Sequence, residues 1–279
     1  MTSLKQLGRT WFVLVTIVGT GALLIWTNFA PPPHRLGGLF GLLPLSFVLV
    51  LRKVLRRHQA TRLLENGARR LEAGDLAAAE QDFEEAAHKD LGPLRALAVY
   101  NLAIAKFQRG DLERAAQLLE AADESRQLYN DPLLQEALLD KVALCRALWG
   151  QVAEARLALV RSAGRHREST GPLAILPEAV VLARSGHPAA AAKLLETRWR
   201  AVEAPGGTYT RMARLVRALV LESLDGARHQ AAAADALAGA RLVSASDVAP
   251  LCTGWPEMEG FLRAKGLLPS TLPPSPVDQ

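Results

Sequence analysis

The sequence predicts an all-α chain: an N-terminal two-helix transmembrane hairpin, then an α-solenoid of about five helix pairs closed by a C-terminal capping helix. Three observations lead there. Apolar residues make up 49% of the 279 residues but aromatics only 5%, and a chain rich in Ala and Leu favours helices over strands. Two long uncharged stretches open the chain. Finally, "AGDLAAAEQDFEEAA" (Ala73–Ala87) returns as "RGDLERAAQLLEAAD" (Arg109–Asp123), so a Gly-Asp-Leu turn and the Ala-rich run behind it recur.

The hairpin is assigned to residues 1–58. Its first span covers about 11–30, "WFVLVTIVGTGALLIWTNFA", twenty uncharged residues that rise about 30 Å as a helix, the thickness of the hydrocarbon core. Trp11 and Trp26 stand near its ends, where indoles favour the headgroup boundary. A cleaved signal peptide fits less well, because the apolar run is too long and Asn28 occupies the position that needs a small residue. "PPPHR" then forces a turn. The second segment, 36–51, is sixteen uncharged residues and reaches only about 24 Å. It is open to two readings: a full span extended by the snorkelling bases of "RKVLRR", or a re-entrant or interfacial segment.

Residues 1–59 contain seven bases and no acid. Lys5 and Arg9 precede the first span, and Arg52, Lys53, Arg56 and Arg57 follow the second. The positive-inside rule then places both ends, and the solenoid, on the cytoplasmic side of the inner membrane. The four bases after the second span are candidates for anionic-lipid contact. Gly37 and Gly41 form a small-xxx-small face that permits close helix approach.

The repeat domain is assigned to residues 59–245. In the first unit Leu63, Leu64, Gly67 and Leu71 recur at helical spacing. Gly74 stops that helix, Asp75 caps the next, and Leu76, Ala79, Phe83 and Ala86 share one face. The second unit runs Val99, Leu102, Ala103 and Phe107, then Gly110-Asp111, then Leu112, Ala115, Leu119 and Ala122. A third turns at Gly150, with Ala155 and Leu159 in register but Ser162 in place of the last Ala. A fourth turns at Gly186 with Pro188 at a first-turn position, and Pro177 shortens or kinks its first helix. A fifth turns near Gly226 and fits more loosely. Residues 246–268 are assigned to a cap whose helix starts at Pro256 and ends before Gly266. Residues 269–279 are expected to be disordered.

A helix–turn–helix unit recurring at 34 residues or slightly more resembles the tetratricopeptide repeat (TPR) family. The resemblance covers roughly residues 60–245, most specifically Gly67, Ala103, the Gly-Asp turns and the Ala/large/Ala sets of the first two units. It implies that the first helix of each pair lines a concave partner-binding surface. Here that surface comprises Leu64 and Ala68, then Leu97, Tyr100 and Ile104, then Asp140 and Leu144, then Leu176 and Val180, a mainly apolar groove suited to a peptide or an amphipathic helix. The same residues are equally open to being core under a covering helix. Some members grip a C-terminal carboxylate with Lys, Arg and Asn on this surface. Asn101 sits where one such Asn would and Lys141 could stand in for another member, but Leu64 and Ala68 stand where the first Lys and Asn belong, so no clamp of that type is expected.

Charge and chemistry narrow the function. The pI near 9.5 belongs to the N-terminal arm, because residues 60–279 hold 26 bases against 28 acids; a nucleic-acid footprint would put a basic stripe on the folded domain. Residues 60–140 carry 9 bases and 16 acids, and residues 141–245 carry 15 and 8. That polarity either orients end-to-end association, including with a second copy, or merely reflects two solvated faces. There is no phosphate loop, nucleophile elbow or metal-spaced ligand set, and the two cysteines, Cys145 and Cys252, are far apart in sequence. No enzyme, cofactor or metal is expected. The expectation is a membrane-anchored scaffold for protein partners; the alternative is a subunit or assembly factor of an integral membrane complex, with the hairpin packed against other membrane helices.

Overall fold

A computed structural model describes residues 36–89, 92–125, 132–164, 172–224, 226–240 and 244–268. Every regular element among them is helical. The expected first span (11–30), the Pro-rich turn after it and the tail 269–279 lie outside the described residues. The chain divides into two compact units, Met1–Leu55 and Arg56–Gln279.

Within the first unit, 36–51 opens helix α1 (Leu36–Glu72), which runs on without a break through "RKVLRR". Val48, Val50, Leu51, Val54 and Leu55 are 43–56% exposed. Among the described residues, no helix is long and apolar enough to cross a membrane.

The second unit is a stack of helix pairs. The end of α1 is followed by α2 (Leu76–Lys89), then α3 (Pro93–Arg109) with α4 (Leu112–Glu124), and α5 (Pro132–Trp149) with α6 (Val152–Ala163). The fourth pair is α7 (Ile175–Arg184) with α8 (Pro188–Thr197). A short α9 (Trp199–Glu203) leads to the fifth, α10 (Gly207–Glu222) with α11 (Ala227–Ala238). From α2 to α8 each helix packs on the next one in sequence, and α8 packs on α10. This is the arrangement that pairs with one greasy side each must adopt to cover it.

The recurring turns have one mechanism. Gly110 takes φ 90°, a left-handed conformation that costs glycine little, and its N–H returns to the Phe107 carbonyl at 2.9 Å. Asp111 then accepts the Arg114 N–H at 3.3 Å, just as Asp75 accepts that of Ala78 at 3.3 Å. The Gly-Asp dipeptide thus ends one helix and caps the next.

Small residues set how closely the pairs approach. A Cβ at Gly67 would stand 2.6 Å from Phe83 Cε1, so only glycine admits that fully buried ring. Leu64, Phe83, Ala98 and Leu102 carry one core across the first two pairs, and Ala103, Leu119, Leu138 and Val142 carry the next. In the fourth pair Pro177 falls in the first turn of α7, after a 3-10 turn at Pro172–Ala174. α7 has 10 residues where α3 has 17 and α5 has 18. The shortened end is held by Tyr209, whose hydroxyl accepts the Leu176 N–H at 3.1 Å and donates to the Pro172 carbonyl at 2.9 Å.

The C-terminal segment does more than cap the last pair. α12 (Ala245–Cys252) and α13 (Pro256–Ala264) fold back over the stack, α12 touching α3, α5 and α10. Val248, Leu251, Trp255, Met258 and Leu262 join the core that α5, α7 and α10 share. The approach is close at two turns: a Cβ at Gly110 would lie 2.8 Å from Thr253 Oγ1, and one at Gly254 would lie 3.1 Å from the Trp149 carbonyl. Arg184 stitches the contact, donating to the Leu148 carbonyl at 2.7 Å and the Gly254 carbonyl at 2.8 Å, with its guanidinium 5.5 Å from the Trp255 ring.

Candidate functional site

The predicted row of first-helix residues divides in two. Leu64 is buried against the Phe83 core, and Leu97 packs half-buried beside it. Tyr100 and Ile104 are also half-buried. Leu144, Leu176 and Val180 are buried in the large C-terminal core, where α7 and α10 pack together and α12 closes over α5 and α10. Asp140 is buried too and accepts the Ser162 hydroxyl at 2.5 Å. Ser162, the departure from Ala at the end of the third unit, is therefore the donor for this carboxylate. The partly open stretch of the row is Leu97, Tyr100 and Ile104 on α3, while α12 meets α3 at its C-terminal end, beside Gly110. The predicted lipid-facing bases, Arg52, Lys53, Arg56 and Arg57, are exposed.

Next to that stretch lies a cavity of about 100 Å³ between α3, α4, α5 and α10. Ile104, Phe107, Leu119, Leu144 and Met212 give it apolar walls; Gln108, Lys141, Cys145, Thr208 and Tyr209 complete the lining. Lys141 is the base that the apolar run "ALLDKVALCRALW" carries inward, and its ammonium lies 6.0 Å from the Tyr100 ring. Among the described residues, no carboxylate makes an ion pair with it.

Burial dominates the electrostatics here. It lowers the Lys141 pKa, against smaller raising effects of Cys145 and Asp140. It pushes the Tyr100 hydroxyl up to about 12 and the Cys145 thiol up to about 12, with Lys141 and Arg146 pulling the thiol back only in part. Tyr209 is raised by burial as well, though the Leu176 N–H acts the other way. Desolvation disfavours the charged form of each group.

Sequence reasoning did not assemble this cluster, since periodicity ranks residues by face and not by which distant helix closes over them. A signal for the covering helix existed: Ser244-Ala245-Ser246-Asp247 has the form of a capping box. The Ser244 N–H indeed donates to Asp247 Oδ2 at 2.9 Å. Other buried charges are structural ties between helices. Glu80 on α2 receives Lys106 at 2.6 Å and Arg109 at 3.1 Å from α3. Among the described residues, no group of three His, Cys, Asp or Glu side chains is placed to hold a metal ion. No family model, curated protein or solved structure matches the chain.

Proposed function

We propose that this chain is a membrane-anchored scaffold, a TPR-like stack of helix pairs tethered by an N-terminal hairpin and engaging protein partners. The carrying observation is that Val48, Val50, Leu51, Val54 and Leu55 stand 43–56% exposed on α1. A contiguous apolar surface of that kind needs lipid or protein to cover it, and the uncharged run Trp11–Ala30 precedes it in sequence. Support for partner binding comes from Leu97, Tyr100 and Ile104, the half-buried strip beside α12. Tethering confines both proteins to one surface and raises their effective concentration. The full-length chain is expected to stay with the membrane pellet after an alkaline carbonate wash and to leave it when residues 1–58 are deleted. Release of the intact chain by the wash would overturn the anchor.

The same exposed apolar row supports the second reading, a subunit or assembly factor whose hairpin packs on partner membrane helices. Replacing residues 1–58 with an unrelated two-helix anchor separates the two. A scaffold keeps its activity in the host cell, whereas a membrane subunit loses it.

A further inference from the structure

Lys141 poses a physical problem that the scaffold reading does not use. An ammonium among Ile104, Phe107, Leu144 and Met212 is largely withdrawn from bulk water, and a buried charge ordinarily takes a partner. Among the described residues, the neighbouring charges make no ion pair with Lys141. Asp140 accepts the Ser162 hydroxyl and offsets the burial of Lys141 only in part, and Arg146 is paired with Glu120 at 2.9 Å. Arg211 bonds Thr208 on the cavity wall but is held by Asp247 at 2.7 Å.

We propose that the cavity between α3, α5 and α10 is a binding site for a small monocarboxylate with a short apolar body, its carboxylate on Lys141 and its chain against Ile104, Phe107, Leu144 and Met212. The volume sets the size: a cavity of about 100 Å³ holds several water molecules, room for a small acid such as butyrate. Lys141, the one cation of the lining among the described residues, sets the charge. A dicarboxylate or a phosphate would bring a second negative charge into walls that offer no second cation, and a neutral amide would leave the ammonium without a counter-ion. Thr208 and Gln108 at the lining supply hydrogen-bonding groups for the second carboxylate oxygen. Burial lowers the Lys141 pKa; a bound carboxylate acts the other way by adding a negative charge beside the ammonium.

The test is calorimetric titration of the full-length chain in detergent micelles with butyrate, butyramide and succinate. Butyrate is expected to bind saturably, with butyramide and succinate at least tenfold weaker. Lys141→Met is expected to abolish butyrate binding while circular dichroism reports an unchanged helical fold. Met212→Trp, which fills the cavity and keeps the lysine, is expected to weaken butyrate at least tenfold and serves if Lys141→Met does not fold. Equal binding of butyrate and butyramide, absence of saturable butyrate binding, or undiminished binding by either folded variant would overturn the proposal.

Discussion

Arg211 on α10 clamps Asp247 on α12 with both arms of its guanidinium, Nε to Oδ2 at 2.7 Å and Nη2 to Oδ1 at 3.0 Å. Asp247 is fully buried and also takes the Ser244 hydroxyl at 2.9 Å. One carboxylate therefore caps α12 and pins it to the stack.

Asp247→Ala is expected to destabilise the fold by about 2–4 kcal/mol, since it strands a half-covered guanidinium and uncaps α12. Burial alone would raise the Asp247 pKa, but the bonds from Arg211, Ser244 and Thr208 outweigh it and hold the group below its ordinary value of 3.8. The stabilisation is thus present above that value and is lost as pH falls through the depressed folded pKa. Urea melts at pH 7 and pH 3 check this. The wild type should lose more stability between them than Asp247→Asn, and equal losses would refute the assignment.

Gly67→Ala is expected to cost about 1–3 kcal/mol, because its Cβ would enter the space of the Phe83 ring. Adding Phe83→Leu should return part of the loss, so that the double variant is less destabilised than the sum of the singles. Additive effects in thermal melts would show that the two residues do not share that contact.

Gly74→Ala and Gly110→Ala separate backbone cost from packing cost. Both positions have positive φ, 80° and 90°, which costs a non-glycine residue about 1–2 kcal/mol. Nothing lies within 4 Å of a Cβ at Gly74, whereas one at Gly110 would meet Thr253 Oγ1 at 2.8 Å. Gly110→Ala should therefore be clearly the worse, and Thr253→Ser should not rescue it, because the hydroxyl remains.

Both thiols are expected to resist alkylation at pH 8 in the folded protein and to react on unfolding. Burial pushes Cys145 and Cys252 up to about 12 from the ordinary 9.0, and the thiolate is the reactive form. Between those values the unfolded chain releases protons that the fold retains, so stability falls as pH rises above 9. A double Cys145→Ala, Cys252→Ala variant should show a shallower alkaline loss in denaturant melts; an unchanged slope would rule the thiols out.

Local rules made most of the stack legible. Gly-Asp at 74–75 and 110–111, Pro177 in α7 and Pro256 with Gly266 around α13 each act within a few residues, so sequence reports them directly. α12 escaped because it is eight residues long with Pro250 inside it, too short for a periodic signal. Its docking depends on Gly110 and Trp149, more than a hundred positions earlier for each partner turn. Spacing assigns the row Leu64 to Val180 to one face, but which members stay accessible is decided by α10 and α12, and no property of the row itself carries that information. Lys141 shows the same limit: its neighbours on α5 are readable, while the cavity around it needs α3 and α10.

α12 also sets an order of events during biosynthesis. A stack held only by neighbours can consolidate pair by pair as each leaves the ribosome, but the contact of Ala249 and Thr253 with Gly110 joins a late-translated turn to one made long before. The core shared by α5, α7 and α10 closes only when that late segment emerges, so a ribosome stalled ahead of Ser244 would present exposed apolar surface to chaperones and proteases.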